Sequence, residues 1–373
     1  MKGNCVIVDF VRTPQCRMGG ELRDRAVDLL GCSILESMVQ RSGLASEQID
    51  HVVFGHPHMD TDPYNVARTS WLLARMCEDT PGYTVHACGA SGVLAMQKAF
   101  YMVSMGVDNT TIVGGAESYS RAPYSLREAR YGVDMRQTTL VDSLEEGEQW
   151  TQPTPMDPRV LAKELAAAKG YSAEQLEKLA ADEAARADAS LWEGHVAPVS
   201  WLDRKKRTVT VDQDEFAPAE DGFTAYVDGA VAMLVVEEER AAELGLKPMG
   251  RVLGFANAAG AADNRWEPAV RAVAKLLAKF PEVAPESLTD VEVITDSAAG
   301  MQAIMDGLAG CGIAPAAVNP VGGNLAYGVN EGADGVIAAA RCLLNLRRTG
   351  ARYGVVTAAM AGGQAIAMLI EAV

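Results

Sequence analysis

The residues best suited to chemistry lie in the stretch 84–95, which reads TVHACGASGVLA. Its β-branched start predicts a strand, and apolar residues at helical spacing through Met102 predict a helix after it. The small residues between them allow a sharp turn, in which backbone amides can approach a ligand and a helix N-terminus favours negative charge. Acyl-transfer enzymes hold a nucleophile and an oxyanion hole in such turns, so Cys88 is the first candidate nucleophile.

A second candidate group is the histidine pair His56 and His58, which follows the strand predicted at residues 49–55. Loops at the carboxyl ends of strands are common places for catalytic side chains, and His56 is therefore a candidate acid or base. Two near-adjacent histidines also suggest a metal. Beyond Asp60 and Asp62, however, no carboxylate or thiol motif accompanies them, so no metal site is predicted.

The composition restricts the class of protein. The 373-residue chain has a formal net charge of −16 and is 49% apolar, which argues against a nucleic-acid partner and is typical of a soluble globular protein. The seven cysteines show no CxxC spacing, which indicates reduced thiols in the cytoplasm. Glycines and polar residues interrupt the longest uncharged run, residues 354–370, so two strands are predicted there and no membrane span.

The elements that must position these groups alternate between strand and helix. Strands are predicted at residues 5–10, 49–55 and 110–115, with helices at 25–41 and 65–76 and after the turn at Cys88. This alternation predicts a largely parallel sheet covered on both faces. Further strands are predicted at residues 230–236, 291–295, 317–320 and 353–357.

An internal repeat divides the chain. Both halves read strand, glycine-rich turn, helix, glycine, strand and Gly-Gly, and the glycine-rich turns are at 88–92 and 322–324. A more charged, Ala-rich segment between the halves predicts an inserted loop domain at residues 118–210. The predicted N-terminal half is therefore residues 1–117 with 211–249, and the predicted C-terminal half is residues 250–373.

Short motifs along almost the whole chain carry a family resemblance. They are VDFVRTP at 8–14, NVAR at 65–68, the turn at 88–92, GGAESYSRAPY at 114–124, DGA at 228–230, Asn319, Gly-Gly at 322–323 and RTGARYG at 348–354. In this order they resemble the thiolase family. The resemblance implies an α/β thiolase fold of two αβαβα layered halves with an inserted loop domain. It also implies a dimer or tetramer, a CoA thioester as ligand and no covalently bound cofactor.

The resemblance also implies a catalytic set, which this chain does not match. A thiolase uses a nucleophilic Cys at the turn, a His in a Gly-His-Pro turn, a second Cys before Gly-Gly, and an Asn that holds an oxyanion-hole water. Counting from the flanking motifs puts Gly89, Val329, Ala359 and Asp296 at these positions. The four replacements predict a degenerate active site.

Cys88 is one residue from the vacant nucleophile position. Because strand side chains alternate between faces, a pocket-facing residue 89 predicts that Cys88 is a buried core thiol. Tyr327 and Asp296 are then the candidate acid–base groups. The resemblance implies that the thioester contacts positions in the loop domain, at the turn and near the C-terminal glycines: Met156, Gly89, Ala361, Gly362, Gly363 and Asn330.

Three functions are consistent with this pattern. The sequence favours a catalytically altered thiolase-like subunit, which acts with an intact thiolase-like chain or with a small zinc-ribbon/OB acyl-CoA-binding protein. A second hypothesis is a non-covalent retro-aldolase or lyase on β-hydroxyacyl-CoA that uses Tyr327 and Asp296. A third is an acyl-CoA acyltransferase in which a bulge moves Cys88 into the nucleophile's place.

Overall fold

The computed structural model describes residues 3–59, 63–127, 129–133, 135, 137–149 and 157–373. In chain order its strands are β1 (Cys5–Arg12), β2 (Cys16–Arg17), β3 (His51–Gly55), β4 (Gly82–Val85), β5 (Thr110–Glu117), β6 (Tyr124–Ser125), β7 (Val141–Asp142), β8 (Val199–Leu202), β9 (Thr208–Val211), β10 (Val227–Glu237), β11 (Gly250–Ala259), β12 (Val291–Ile294), β13 (Tyr353–Met360) and β14 (Gln364–Ala372). The helices are α1 (Val27–Ser42), α2 (Val66–Leu73), α3 (Ser91–Met105), α4 (Ser143–Gln149), α5 (Pro158–Lys169), α6 (Ala173–Ala185), α7 (Glu238–Glu243), α8 (Glu267–Leu277), α9 (Ala298–Gly310), α10 (Asn324–Tyr327) and α11 (Asp334–Thr349).

A ten-stranded sheet joins the two halves in the order β12-β13-β14-β11-β1-β10-β5-β3-β4, with β2 paired to β10. Strand β12 runs parallel to β13, and β3 runs parallel to both β4 and β5. The other neighbours along this order are antiparallel, so the prediction of a largely parallel sheet is wrong and the sheet is mixed. The local hydrophobic pattern does not encode the direction of a neighbouring strand. A strand covered by helices on both faces is apolar along its length, whether its neighbour runs parallel or antiparallel to it.

The predicted strand at residues 317–320 is also absent from the described fold. This segment forms a 3₁₀ turn at Pro315–Ala317, followed by one isolated bridge between Val318 and Val291. Pro315 and Pro320 lack backbone N–H groups, so neither can donate a ladder hydrogen bond to a neighbouring strand.

Helices cover the sheet in layers. Helices α1 and α2 share a buried cluster with the outer face of the N-terminal strands, and α8 and α9 share another with the C-terminal strands. Helices α3 and α11 contact strands of both halves and lie in a third cluster between them. These two central helices hold the predicted halves together. Among the described residues, no helix combines the length and the apolar character needed to cross a bilayer.

The loop segment between the halves contributes α4, α5, α6 and two small hairpins, and it is anchored by a buried carboxylate. Glu183 on α6 is 1% exposed and accepts hydrogen bonds from Asn319 Nδ2 at 3.2 Å and from the Leu325 amide at 3.0 Å. Burial raises the pKa of Glu183 to about 7. The division into residues 1–117 with 211–249, 118–210 and 250–373 is retained as a proposal.

We expect Glu183 to make the folded protein less stable as the pH rises from about 4.5 to about 7. The unfolded chain releases this proton near its ordinary pKa of 4.5, whereas the folded protein retains it until about pH 7. In that window the unfolding free energy therefore falls by at most roughly 1.4 kcal/mol for each pH unit of increase. Glu183→Gln does not titrate, so its unfolding free energy should rise relative to wild type across the window. Urea unfolding of both proteins at several pH values measures this; a constant difference would contradict it.

Candidate active site

The turn between β4 and α3 is closed by a buried serine. Ser91 Oγ donates to the Cys88 carbonyl at 2.6 Å and accepts from the Ala87 amide at 3.0 Å. The Cys88 amide donates to His86 Nδ1 at 3.2 Å, and Cys88 itself has a left-handed φ of 45°. A non-glycine residue in this region is strained, and such strain is concentrated at functional sites.

This turn opens into a cavity of about 400 Å³, a volume in the range of small-molecule sites. The carboxyl ends of several strands, the loop segment and the 220–226 stretch form its walls. Its polar lining includes, among the described residues, Arg17, His58, His86, Cys88, Arg159, Glu220, Thr224, Tyr226, Arg265, Thr295, Asp296 and Glu331. The cavity therefore combines histidines, carboxylates, guanidinium groups and a thiol.

Gly89 has no side chain. The Glu331 carboxylate lies in the direction in which a side chain at residue 89 would point. A Cβ placed on Gly89 would lie 3.5 Å from Glu331 Oε1 and 3.3 Å from the Ala359 carbonyl oxygen. The Glu331 side chain is 18% exposed and thus largely withdrawn from solvent. A titratable oxygen therefore points to the part of the cavity next to position 89.

Glu331 is held by contacts on both its backbone and its carboxylate. Its Oε2 lies 2.9 Å from His58 Nε2, and its amide donates to the Tyr119 hydroxyl at 3.1 Å. The Tyr119 ring packs edge-on against His58 at 5.0 Å and stacks on Tyr226 at 4.4 Å. This arrangement fixes the carboxylate–imidazole pair, as a general acid–base group requires.

His86 lies on the other side of the turn and lines the same cavity. Desolvation lowers the pKa of His86, and the nearby Glu331 carboxylate opposes that shift. A lowered pKa keeps an imidazole neutral near pH 7, where it can accept a proton. The cavity thus contains two separate groups able to exchange protons with a bound molecule.

Comparison with known proteins assigns the fold and the family. The chain matches the family descriptions "Thiolase, N-terminal domain" over residues 5–239 and "Thiolase, C-terminal domain" over residues 246–372. The chain belongs to the thiolase family. Acetyl-CoA acetyltransferase of Allochromatium vinosum is 28% identical and beta-ketoadipyl-CoA thiolase of Pseudomonas aeruginosa is 30% identical, and each alignment covers 100% of both chains. The crystal structure of Bacillus anthracis acetyl-CoA acetyltransferase has a TM-score of 0.93 and 24% identity over 100% of this chain and 99% of that one. The predicted α/β thiolase fold is confirmed.

The four positions that the thiolase resemblance assigns to catalysis lie around one cavity. Gly89, Val329, Ala359 and Asp296 all line it. The backbone of this thiolase fold therefore forms the pocket, although the residues at these positions differ from the catalytic set that the resemblance implies. The side chains around these positions are therefore the candidates for catalysis in this chain.

The prediction that Cys88 is a buried core thiol is wrong. Cys88 is partly exposed and lines the cavity together with its neighbour Gly89. The alternation argument fails because β4 ends at Val85 and the left-handed φ of Cys88 turns the chain before Gly89. Cys88 therefore stays a candidate nucleophile by location.

Tyr327, predicted as a candidate base, does not line this cavity. Its ring stacks on Phe216 at 5.7 Å, and its hydroxyl accepts from the Asp188 amide at 3.0 Å in a separate space of about 20 Å³. Gly328 has a φ of 84°, which reverses the chain between Tyr327 and Val329 and sends their side chains to different places. Because its side chain is outside the described lining of this cavity, Tyr327 is not placed to act as the base there, and the prediction is corrected.

His56 is likewise not on the cavity surface. It is 0% exposed, and its Nδ1 lies 3.0 Å from both the Ala116 carbonyl oxygen and Glu117 Oε1. Because β3 ends at Gly55 and Pro57 follows, His56 points into the interior and His58 reaches the cavity. The candidate role predicted for His56 is corrected, and the geometry transfers it to His58.

The positions predicted to contact substrate divide into three groups. Gly89 and Ala361 line the cavity. Gly362, Gly363 and Asn330 are outside its described lining, and Asn330 is 0% exposed with its amide bonded to the carbonyls of Val227 and Gly229. Met156 lies outside the described residues. Asn330 is therefore a structural residue in this fold, which corrects its predicted contact with substrate.

Glu331 was not among the sequence candidates. It comes two residues after Val329, the position that the resemblance assigns to the thiolase His, and this adjacency was the available signal. An acidic residue beside a position assigned to catalysis is a candidate acid or base. The partner that gives it this role, His58, is 273 positions away in the chain.

Proposed function

We propose that this protein is an enzyme of CoA-thioester carbon–carbon bond metabolism that works without an acyl-enzyme at position 89. Family membership supports the substrate class, since the relatives are named for acetyl-CoA and beta-ketoadipyl-CoA. One observation carries the mechanism: the Glu331 carboxylate points to the place that a side chain at residue 89 would occupy, and it is paired with His58. Proton transfer replaces covalent catalysis at this position.

The reaction that these groups support is the reversible aldol cleavage of a β-hydroxyacyl thioester. Glu331, oriented by His58, takes the proton of the β-hydroxyl group. The Cα–Cβ bond breaks, Cβ becomes a carbonyl carbon, and the electron pair moves into the thioester as an enolate. The proton taken from the hydroxyl group is then delivered to Cα, and His86, neutral until it accepts that proton from Glu331, is the candidate to carry it. The products are a shorter acyl thioester and an aldehyde or ketone, and no further reactant is consumed.

The partner role favoured by the sequence is retained as a proposal. A dimer or tetramer, an intact thiolase-like chain, and a zinc-ribbon/OB acyl-CoA-binding protein are the partners that the resemblance implies. The acid–base groups described in the cavity, Glu331, His58 and His86, belong to this chain, which favours catalysis in its own pocket. Cytoplasmic location and the absence of a bound cofactor also stay predictions.

A second candidate function is acyl transfer through Cys88. The observation that favours it is the left-handed φ of 45° at a cysteine that lines the cavity beside a helix N-terminus. This geometry presents a side chain at a strand-to-helix turn, as in enzymes that use a nucleophile elbow. In this mechanism the thiolate attacks the thioester carbonyl, CoA leaves as its thiol, and an acyl-enzyme forms on Cys88.

One experiment separates these functions. The protein is purified alone and incubated in D₂O with acetyl-CoA and with a panel of straight-chain, branched and carboxylated β-hydroxyacyl-CoA esters. We expect deuterium at Cα and retro-aldol products by mass spectrometry, no acyl adduct on the intact protein, and activity in Cys88→Ala within a few-fold of the Cys311→Ala control. An adduct on Cys88 with loss of activity in Cys88→Ala would establish the second candidate. If no thioester exchanges or reacts until a partner chain is added, the protein is not an enzyme alone.

A further inference from the structure

An ion pair with one buried member, Arg265, lies in the cavity wall at the position that the resemblance assigns to the thiolase oxyanion-hole residue. The Arg265 side chain lines the cavity and is 7% exposed, and its Nη1 pairs with Asp296 Oδ2, whose side chain is 33% exposed. Desolvated arginines are uncommon, and one in the wall of a reaction cavity is a fixed positive charge in a medium of low polarity. This charge is a feature that the proposed acid–base step does not use.

Both members of the pair are held by their own surroundings. Asp296 follows β12, its backbone carbonyl accepts from the Thr224 amide at 3.0 Å and from Thr224 Oγ1 at 3.1 Å, and its Oδ1 accepts from Ser297 Oγ at 3.1 Å. Trp266, next to Arg265, is 3% exposed. Its ring lies against Gly300, and a Cβ added to Gly300 would overlap the Trp266 ring nitrogen. The guanidinium is thus set in place before any ligand binds.

The other two arginines of the described lining differ from Arg265. Arg17 is 42% exposed and pairs with the exposed Glu220 at 3.2 Å. Arg159 is exposed at the start of α5, where its guanidinium lies 5.8 Å from the Phe223 ring centroid. Both therefore keep their charge in contact with water, which screens it. Of the three arginines in the described lining, Arg265 is the one withdrawn from water, so solvent screens its interaction with a bound group least, although Asp296 offsets part of its charge.

We propose that Arg265 forms a substitute oxyanion site, which donates hydrogen bonds to the thioester oxygen when the enolate forms. This inference rests on the proposed function, because it needs a step in which negative charge develops on that oxygen. A donor fixed before the reaction stabilises developing charge without reorganisation, and removal of one such donor lowers kcat by about 10²–10³-fold. Asp296 is a positioning residue in this arrangement, since it acts on the reaction by holding the guanidinium.

The test measures enolate formation directly, through Cα–H/D exchange of acetyl-CoA. We expect Arg265→Gln to lower the kcat of exchange by about 10²–10³-fold with KM changed by only a few-fold. Arg265→Lys, which keeps the charge and loses the planar fork, should retain part of the rate. Asp296→Asn, which releases the guanidinium, should lower kcat less than Arg265→Gln. The control is Arg352→Gln, which removes an arginine from the outer Arg352–Glu371 pair of the same half and should exchange like wild type.

The outcomes are distinct. Exchange absent in wild type would refute the proposed function itself. A second outcome is that wild type exchanges and that Arg265→Gln, shown to be folded by circular dichroism, exchanges at the same rate. This result would refute the oxyanion role and leave a structural ion pair. A rise in KM confined to carboxylated substrates, with kcat unchanged, would also refute it, because Arg265 would then bind the acyl chain. If Arg265→Gln does not fold, the kcat of Arg265→Lys and Asp296→Asn decides: both equal to wild type would overturn the proposal.

Discussion

Replacing Glu331 with glutamine should lower the kcat of retro-aldol cleavage by about 10²–10⁴-fold, the contribution of a general base. Glutamine has nearly the same shape and keeps an oxygen that can accept a hydrogen bond from His58 or a ligand, but it cannot take a proton at neutral pH. KM should change little, because the side chain acts on the reacting hydroxyl and adds little to thioester binding. Steady-state kinetics with the most active β-hydroxyacyl-CoA measure both constants.

The matched control for this variant is Glu267→Gln. Glu267 is 47% exposed, pairs with Arg271 at 3.4 Å and is outside the described cavity lining, so its removal should leave kcat unchanged. His58→Gln should lower kcat by less than Glu331→Gln, because the carboxylate remains in the cavity and loses only the imidazole that orients it. Wild-type kcat in Glu331→Gln would exclude this residue as the base, and His86 would then be the next group to test.

The positions of most helices and strands could be predicted from the sequence, because the buried residues of each element recur at the regular spacing of a helix or a strand. For example, the apolar spacing that predicts a helix through Met102 reflects the packing of α3 in the central layer, and Gly106 ends that helix with a left-handed φ of 71°. Strand direction was not predictable in the same way. It depends on which strand becomes the neighbour, and β1 lies between β10 and β11, which come more than 200 residues later.

The site was predictable only as far as the backbone determines it. Gly89, Val329, Ala359 and Asp296 were located by short motifs, and the fold brings all four to one cavity. The orientation of side chains near them was not predictable, because it depends on single φ angles: 45° at Cys88 and 84° at Gly328. The Glu331–His58 pair joins two loops far apart in the chain, and no local pattern contains that information.

Gly335→Ala should be among the most destabilising single substitutions in the chain. Gly335 lies on α11 where this helix crosses α3, and a Cβ there would overlap the backbone nitrogen of Val93 and the backbone of Gly92. A side chain can change rotamer to avoid an overlap, but a helix backbone can only move as a unit. Overpacking of this kind costs about 3 kcal/mol of unfolding free energy at the upper end of its usual range.

The control is Gly310→Ala, since Gly310 is also a helical glycine, on α9, and a Cβ added there meets no atom within 4 Å. Alanine at an exposed helical position is favoured over glycine by about 0.5–1 kcal/mol, so this variant should be slightly more stable than wild type. Urea unfolding followed by circular dichroism should therefore shift the midpoints of the two variants in opposite directions. Because α11 begins three residues after Glu331, Gly335→Ala should also displace the base and lower kcat, whereas Gly310→Ala should not. A wild-type midpoint for Gly335→Ala would mean that the two central helices are farther apart than this packing requires, and the shared layer between the halves would have to be revised.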